Sequence, residues 1–348
     1  MKNSSNSKLK IGIIGGGWVA TTRHIPSFLS DKRTQITTFF DRDINKAALA
    51  AKKYDIPLYF DQLDAFLKEP LDAVSICTPP FTHAEIIRAA LVAGKHVLVE
   101  KPMTMTSSEG KELEQLASKK GLLVCPTHNF LYSRSMQKAQ GMLRSGKAGE
   151  ICWAMGMQIS SWRRRLPTWS NELPGGLFFD EAPHLLYLMG HFLGNLQVEN
   201  AWRYSDGKGL LKDMERVETR LRGEYGHGYL TSWFGAPYSE WLFTLFCSKA
   251  VLVLDLFRDV LICMPSERSH GPLDVINSSL RGILQHFSGS SISGLRYLRG
   301  RLLYGHDVLI RRFIDAVTDN TEPPVTAQDG WQVIELIENI LEQSGTAD

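Results

Sequence analysis

Short apolar runs alternate with amphipathic stretches through the first third of the chain. Residues 11–14, 36–40, 73–77, 96–99 and 122–125 are rich in Val, Ile or Leu, as expected of strands buried on both faces. Between them, residues 18–29, 44–54, 83–93 and 107–119 carry a helical period. Strand–helix alternation of this kind predicts a parallel, doubly wound sheet. The rhythm changes after about residue 127. A helix over 132–145, a strand over 151–160 and a helix over 177–193 lead into six strands: 198–204, 216–225, 228–234, 241–247, 250–256 and 260–264. Glu224-Tyr225-Gly226-His227-Gly228 reads as a hairpin turn, because glycine accepts positive φ. Two closing helices, 307–318 and 329–343, flank Pro323-Pro324. Segment 266–305 is polar and Gly/Ser-rich, then basic at Arg296, Arg299 and Arg301, and predicts a long loop with some helix. The expected fold is α/β. A doubly wound parallel sheet occupies 1–128, and an α/β domain with an open, mainly antiparallel sheet occupies 129–348.

Composition narrows the classes. A length of 348 residues fits about two domains. The formal charge of +2 leaves no basic excess for binding nucleic acid or acidic membranes, so neither is expected as a partner. Five cysteines, an odd number with no CxxC pair, argue against a disulfide scaffold and a structural zinc site. Residues 1–8 are polar and carry no apolar leader, and the apolar region 242–264 is broken by Lys249, Asp255, Arg258 and Asp259. A cytoplasmic location is the default expectation.

Gly15-Gly16-Gly17-Trp18-Val19-Ala20 fits G-x-G-x-x-G/A, after a predicted strand and at the opening of a predicted helix. Gly15 permits the tight turn, Gly17 lets the backbone approach a pyrophosphate, and Ala20 keeps helix and sheet close. Free N–H groups of the helix start, at Trp18 and Val19, favour an anion. Asp41 ends the next strand, where a carboxylate holds a ribose 2′-hydroxyl and repels a 2′-phosphate. This favours NAD. Arg42 would accommodate the phosphate instead, so NADP stays open. The alternative is a glycine turn in an unrelated α/β protein.

Glu100-Lys101-Pro102 ends a buried strand, and Cys77-Thr78-Pro79-Pro80 ends its neighbour, so both face the crevice beyond the strand ends. A lysine there can hold a substrate oxygen, and desolvation would help it relay a proton. The plain alternative is a surface lysine. Asp180 and His184 stand four residues apart in an apolar helical stretch after Gly175-Gly176, hence on one face. They form a plausible acid/base pair, or else a helix-start Asp and a satisfied core histidine. No third ligand accompanies them, so no metal is expected.

Together these residues resemble the Gfo/Idh/MocA oxidoreductases, the family of glucose–fructose oxidoreductase and inositol dehydrogenase. The matches are the glycine motif, Asp41, Cys77-Thr78-Pro79 with His83, Gly94-Lys95-His96-Val97 running into Glu100-Lys101-Pro102, and Asn129-Phe130 with Tyr132. Gly175-Gly176, Asp180 with His184, and Leu193-Gly194 follow in family order. The resemblance implies a Rossmann domain, then an α/β domain whose open sheet often makes homo-oligomers, dimers or tetramers. It implies that Lys101, Asp180 and His184 line the active site, with His184 as proton acceptor and Lys101 orienting the oxygen and the nicotinamide. It implies cofactor contacts around Thr78, Pro79, His83 and Glu100, and substrate contacts around Asn129 and Tyr132. Three positions depart from the pattern. Ala182 replaces a common glycine, Tyr187 replaces a common second Asp and so removes a polar contact, and Pro80 replaces a common asparagine.

Trp162-Arg163-Arg164-Arg165 borders the substrate region of the resembled family. Guanidinium groups bind carboxylate or phosphate bidentately and tryptophans stack on sugars. Trp162, Arg163 and Arg165 therefore point to an anionic sugar, a sugar nucleotide or a uronate. A solvated basic loop or an oligomer contact is the alternative. Three functions follow: an NAD(P)-dependent sugar dehydrogenase or reductase, a glycosidase or lyase that recycles NAD internally, or a non-catalytic dinucleotide sensor.

Overall fold

The computed structural model of this chain describes residues 8–161, 163, 168–204, 216–266 and 271–346. They group into two compact units, Met1–His128 with His306–Ile334, and Asn129–Gly305 with Glu335–Asp348. Chain order and spatial grouping part at His306–Ile334, which comes late in sequence yet packs with the first unit. Two contacts draw it there. Arg33 reaches Asp315 at 2.6 Å. Trp331 donates from Nε1 to Glu114 at 2.7 Å and sits over Gly110, where a Cβ would come within 2.5 Å of the Trp331 Cβ.

The first unit holds six strands: β1 (Leu9–Ile14), β2 (Thr34–Phe40), β3 (Leu58–Phe60), β4 (Ala73–Ile76), β5 (His96–Val99) and β6 (Val124–Pro126). Their order is β3-β2-β1-β4-β5-β6, every pair parallel. Ile14 aligns with Phe40 on one side and Ile76 on the other. Ile13, Ile14, Ile76, Val97 and Val99 are buried, which is why these strands read as continuous apolar runs. β3 does not show in the sequence pattern because its apolar run, Leu58-Tyr59-Phe60, is only three residues long. Helix Ile44–Tyr54 starts where the Asp43 side chain accepts from the N–H groups of Asn45 and Lys46. Helix Ser107–Lys120 opens on the Thr106/Glu109 capping box and stops at Gly121, φ 64°. The helix expected over 18–29 forms over 18–30, with a wide π turn at Ala20–His24 running into α-helix Ile25–Ser30. Pro26 has no N–H and crowds the carbonyl one turn back, so a wider turn replaces the regular ladder.

The second unit is an eight-stranded sheet of β7 (Ile151–Ser161), β8 (Gln197–Tyr204), β9 (Arg216–Gly223), β10 (Gly226–Ala236), β11 (Glu240–Cys247), β12 (Ala250–Asp255), β13 (Val260–Pro265) and β14 (Gly345–Thr346). The order is β13-β12-β11-β7-β10-β9-β8-β14. β7–β10 and β14–β8 are parallel and the other pairs antiparallel. The β9–β10 hairpin forms as expected, with Gly223 opposite Gly226. Helix Pro183–Leu193 covers one face. Gly156 makes room for it, since a Cβ there would meet Met189 at 3.0 Å and Leu185 at 3.1 Å. Among the described residues no helix is long and apolar enough to cross a membrane.

Three expectations are corrected here. Segment 266–305 is not mainly loop but carries the 27-residue helix Pro272–Leu298. Its small and polar residues look like a linker in sequence, yet they are the ones that meet the sheet. The helix over 177–193 is two, Leu177–Glu181 and Pro183–Leu193, because Pro183 has no N–H for the ladder. The helix over 132–145 is a tight turn, Asn129–Tyr132, then Arg134–Arg144 capped by the Ser133 hydroxyl.

Candidate active site

In the first unit, β1 carries the glycine turn into the crevice where the strand order reverses. Gly15 has φ 93°, and a Cβ on it would lie 2.9 Å from the Cys77 carbonyl oxygen. Its N–H donates to the Phe40 carbonyl at 2.8 Å, so the turn is strapped between the ends of β2 and β4. Gly17 is different. It is exposed, and the nearest atom to a Cβ there is the Cys77 oxygen at 3.8 Å. Crowding from the described residues does not demand glycine at 17, whereas an outside group approaching the backbone does. Asp41 follows β2. Its Oδ2 accepts from the Gly16 N–H at 2.8 Å and its Oδ1 from the Asp43 N–H at 3.0 Å, which leaves lone pairs for a diol. Arg42 and Trp18 are exposed, Val19 is half-buried and Ala20 is buried. The Arg23 guanidinium lies 4.8 Å over the Trp18 ring. This donor set fits a dinucleotide: free helix-start N–H groups, an open approach at Gly17, and a fixed carboxylate for a ribose.

β4 and β5 are neighbours, so Thr78, Pro79, Glu100 and Lys101 gather at one sheet end. Glu100 is buried. Its Oε1 accepts from His24 Nε2 at 2.8 Å, with His306 Nε2 at 3.4 Å, and its Oε2 accepts from the Lys101 N–H at 3.2 Å. His24 Nδ1 meets Ser75 Oγ at 2.8 Å. Burial opposes the charge on Glu100, but His24 and His306 hold its carboxyl well below the usual range. Burial, then that same charge, push the Cys77 thiol up. His83 is buried, with Nε2 2.8 Å from the Thr78 oxygen and Nδ1 2.8 Å from the Pro102 oxygen. Burial pulls its pKa down against those carbonyls. A neutral imidazole has one N–H and donates it to one of these carbonyls at a time, so the ring braces the loop after β4 against the turn after β5, where the Lys101–Pro102 peptide is cis. The ligand atoms of His24, Glu100 and His306 lie within 4.8 Å of one another, a set that suits a metal by type. The His24–Glu100 separation of 2.8 Å is a hydrogen bond. It is shorter than the spacing of about 3.3 Å between two ligands of one tetrahedral zinc. These residues satisfy one another.

In the second unit, Asp180 lies in helix Leu177–Glu181 and His184 in the first turn of helix Pro183–Leu193, and both are half-buried. His184 Nδ1 lies 3.0 Å from the Tyr187 hydroxyl. That hydroxyl accepts from the Phe130 N–H at 3.1 Å and lies 3.5 Å from Asn129 Oδ1. Asn129 Nδ2 donates to the Tyr304 carbonyl at 2.9 Å. Phe130 and Trp241 wall the imidazole at centroid distances of 4.9 and 5.5 Å. Trp241 is anchored by donating to Ser160 Oγ at 3.3 Å, and Ser160 donates to the buried Glu181 at 3.1 Å. Tyr187 has one hydroxyl proton. Given to His184 Nδ1, it leaves the proton of a neutral imidazole on Nε2. Given to Asn129, it lets Nδ1–H donate to the phenol and frees the Nε2 lone pair. Tyr187 stands where the resembled family often has a second Asp, and its hydroxyl is a polar partner of His184. Tyr132 is half-buried and its carbonyl accepts from Gln137 at 2.7 Å. Arg163 is exposed, its N–H donating to Ser161 Oγ at 3.2 Å. Trp162 and Arg165 lie outside the described residues. His24, His306 and Tyr187 were missing from the site predicted from sequence. His24 was within reach, since it lies in the helical stretch that the glycine motif opens.

Residues 9–128 match the family described as "Oxidoreductase family, NAD-binding Rossmann fold" (Gfo/Idh/MocA). An uncharacterized oxidoreductase of Synechocystis is 34% identical over 202 residues, 56% of this chain and 54% of that protein. A dTDP-3,4-didehydro-2,6-dideoxy-α-D-glucose 3-reductase of Streptomyces violaceoruber is 28% identical over 65% of this chain and 69% of its own length. The chain spans about half the length of the first curated relatives it matches, 54%, 52% and 46%. Among solved structures, the WlbA dehydrogenase from Bordetella pertussis, in complex with NADH and UDP-GlcNAcA, superposes with a TM-score of 0.79. It is 18% identical and covers 97% of this chain and 96% of that one, a likeness of fold.

Proposed function

Because residues 9–128 match the Gfo/Idh/MocA oxidoreductases with an NAD-binding Rossmann fold, we propose that the chain is an NAD(P)-dependent oxidoreductase of a sugar or sugar derivative. The observation that carries the reading is the glycine turn with Asp41 pinned beside it through the Gly16 N–H at 2.8 Å. When bound there, the nicotinamide supplies or accepts a hydride at a hydroxyl or keto carbon. The chain's residues do the rest. Helix-start N–H groups after Gly17 hold the pyrophosphate, and Asp41 holds the ribose diol. Lys101 orients the reacting oxygen by donating a hydrogen bond. His184 takes the hydroxyl proton on Nε2 in oxidation and returns it in reduction, with Asp180 as its tuning carboxylate. Tyr187 positions the imidazole and selects its tautomer. Thr78, Pro79 and Glu100 shape the nicotinamide side, and His83 holds that loop in place.

A sugar nucleotide is the substrate class that the names of the relatives favour, a dTDP-sugar reductase and a dehydrogenase bound to UDP-GlcNAcA. Arg163, Arg165 and Trp162, with Asn129 and Tyr132, are the residues we assign to it. The test begins with small molecules released from the denatured protein, identified by mass spectrometry, and a titration of NADH against NADPH. Turnover on nucleotide sugars follows. Lys101→Met should lower kcat by about 10²–10⁴-fold, the usual worth of a group that orients and relays a proton. Unchanged turnover in that variant, or no dinucleotide binding by the parent, removes the proposal.

A further inference from the structure

Helix Pro272–Leu298 presents its faces in the reverse of the usual order. The side against the sheet is small and polar. Gln285 pairs its amide with edge strand β13, accepting from the Cys263 N–H at 2.9 Å and donating to the Cys263 carbonyl at 3.1 Å. Gly289 lies so close to β13 that a Cβ would meet Val260 at 2.7 Å. Ser293, one turn further on, is buried. The outward side is apolar. Leu273, Ile276, Leu280, Ile283 and Phe287 recur at steps of three and four residues, and Leu284, Leu295 and Leu298 extend the same stripe. Leu273 is 75% exposed, Phe287 71% and Leu298 82%. Of the 25 exposed large hydrophobic residues described, 11 lie on this helix. At 1.5 Å per residue the helix runs about 40 Å. A ridge of that size is beyond the scattered apolar exposure of an ordinary surface.

Charge decides what covers it. From Gly271 to Arg301 the chain carries four arginines, 281, 296, 299 and 301, against a single acid, Asp274. Arg281 and Arg299 are 18 residues apart, about five turns, so they flank the stripe on the same side. Antiparallel pairing of two copies would set these arginines against one another along that rim. An anionic bilayer surface is complementary to the rim and to the ridge at once: acyl chains take the apolar stripe and lipid phosphates take the guanidinium groups. We propose that this helix is an in-plane anchor that lays the second unit on an anionic lipid surface without crossing it. The sequence reading expected no membrane partner because it weighed net charge and spanning segments, and this helix shows in neither.

The test is co-sedimentation of the full chain with phosphatidylcholine vesicles, with and without a quarter phosphatidylglycerol, alongside light scattering for oligomeric state. The parent should sediment with the anionic vesicles, at least tenfold less with neutral ones, and less as salt rises. Leu284→Ser with Phe287→Ser should lower anionic binding at least tenfold while keeping the thermal midpoint and the affinity for NADH. Arg281→Gln with Arg299→Gln should reduce the preference for anionic over neutral vesicles. A parent that stays in the supernatant with anionic vesicles overturns the proposal. If the same serine pair also converts a dimer into a monomer, a second copy covers the ridge instead.

Discussion

Two buried groups make the first unit sensitive to acid in separate pH windows. Burial holds the His128 imidazole neutral and drags its pKa to about 4. An unfolded histidine titrates near 6.5, so between pH 6.5 and 4 the unfolded chain binds the extra proton. Stability therefore falls as pH drops through that range, by on the order of 3 kcal/mol. Glu100 acts lower down. His24 and His306 depress its pKa below the carboxylate value, so its contribution is complete above about pH 4.5 and is lost as pH falls through the folded value. Urea unfolding at pH 7, 5.5 and 4.5 should show the first loss, and His128→Gln should flatten it. An equal slope in that variant would contradict the assignment. At this scale the sequence was informative where chemistry depends on local spacing. Asp41 stands at the end of the strand after the glycine motif, and its carboxylate meets the turn. His306 was not legible, because a very long stretch of chain separates it from Glu100 and no local pattern links them. Tyr187 shows in sequence only as a departure from the resembled pattern, and no local spacing reveals that its hydroxyl reaches Nδ1 of His184 at 3.0 Å.

At the scale of elements, the two glycines of the turn separate folding from binding. Gly15 is required by the backbone: φ is 93° and a Cβ would lie 2.9 Å from the Cys77 oxygen. Gly15→Ala should cost at least about 1–2 kcal/mol in strain and weaken cofactor binding only secondarily. At Gly17 the nearest atom to a Cβ is 3.8 Å away. Gly17→Ala should leave the thermal midpoint within a few degrees of the parent while weakening NADH at least tenfold, as the methyl group fills the pyrophosphate approach. Calorimetric titration and melting of both variants check the pair; equal NADH affinity in Gly17→Ala and the parent would show that the dinucleotide does not approach there. The same contrast explains what could be read of the elements. Strands buried on both faces announce themselves as apolar runs, as β1 and β5 do. β3 is three residues long, too short a run to stand out. Helix Pro272–Leu298 escaped because its sheet-facing positions are Gln285, Gly289 and Ser293, residues that look like a linker until the strand they pack on is known.

At the scale of the whole molecule, the first unit is discontinuous in sequence, and this sets how the chain can be cut. A break after His128 looks natural, since the parallel strands end at β6. Yet His306–Ile334 packs with that unit. Removing it takes away the His306 imidazole, 3.4 Å from the buried Glu100 carboxylate, and the Trp331 side chain that lies over Gly110 and bonds Glu114. Taking a hydrogen-bond partner from a buried carboxylate costs about 1–3 kcal/mol, and the Trp331 surface adds to the loss. A domain's total stability is only about 5–15 kcal/mol. A fragment of residues 1–128 should therefore show no cooperative thermal transition. The same fragment joined to 306–334 by a flexible Gly/Ser linker should regain one, and should bind NADH, because Glu100, Lys101 and the glycine turn are then held as in the full chain. Circular dichroism melting and NADH fluorescence on the two fragments decide the matter. If 1–128 alone melts as cooperatively, and at the same temperature, as the joined fragment, then the late segment is a surface attachment, and His306 contributes nothing to holding Glu100 charged.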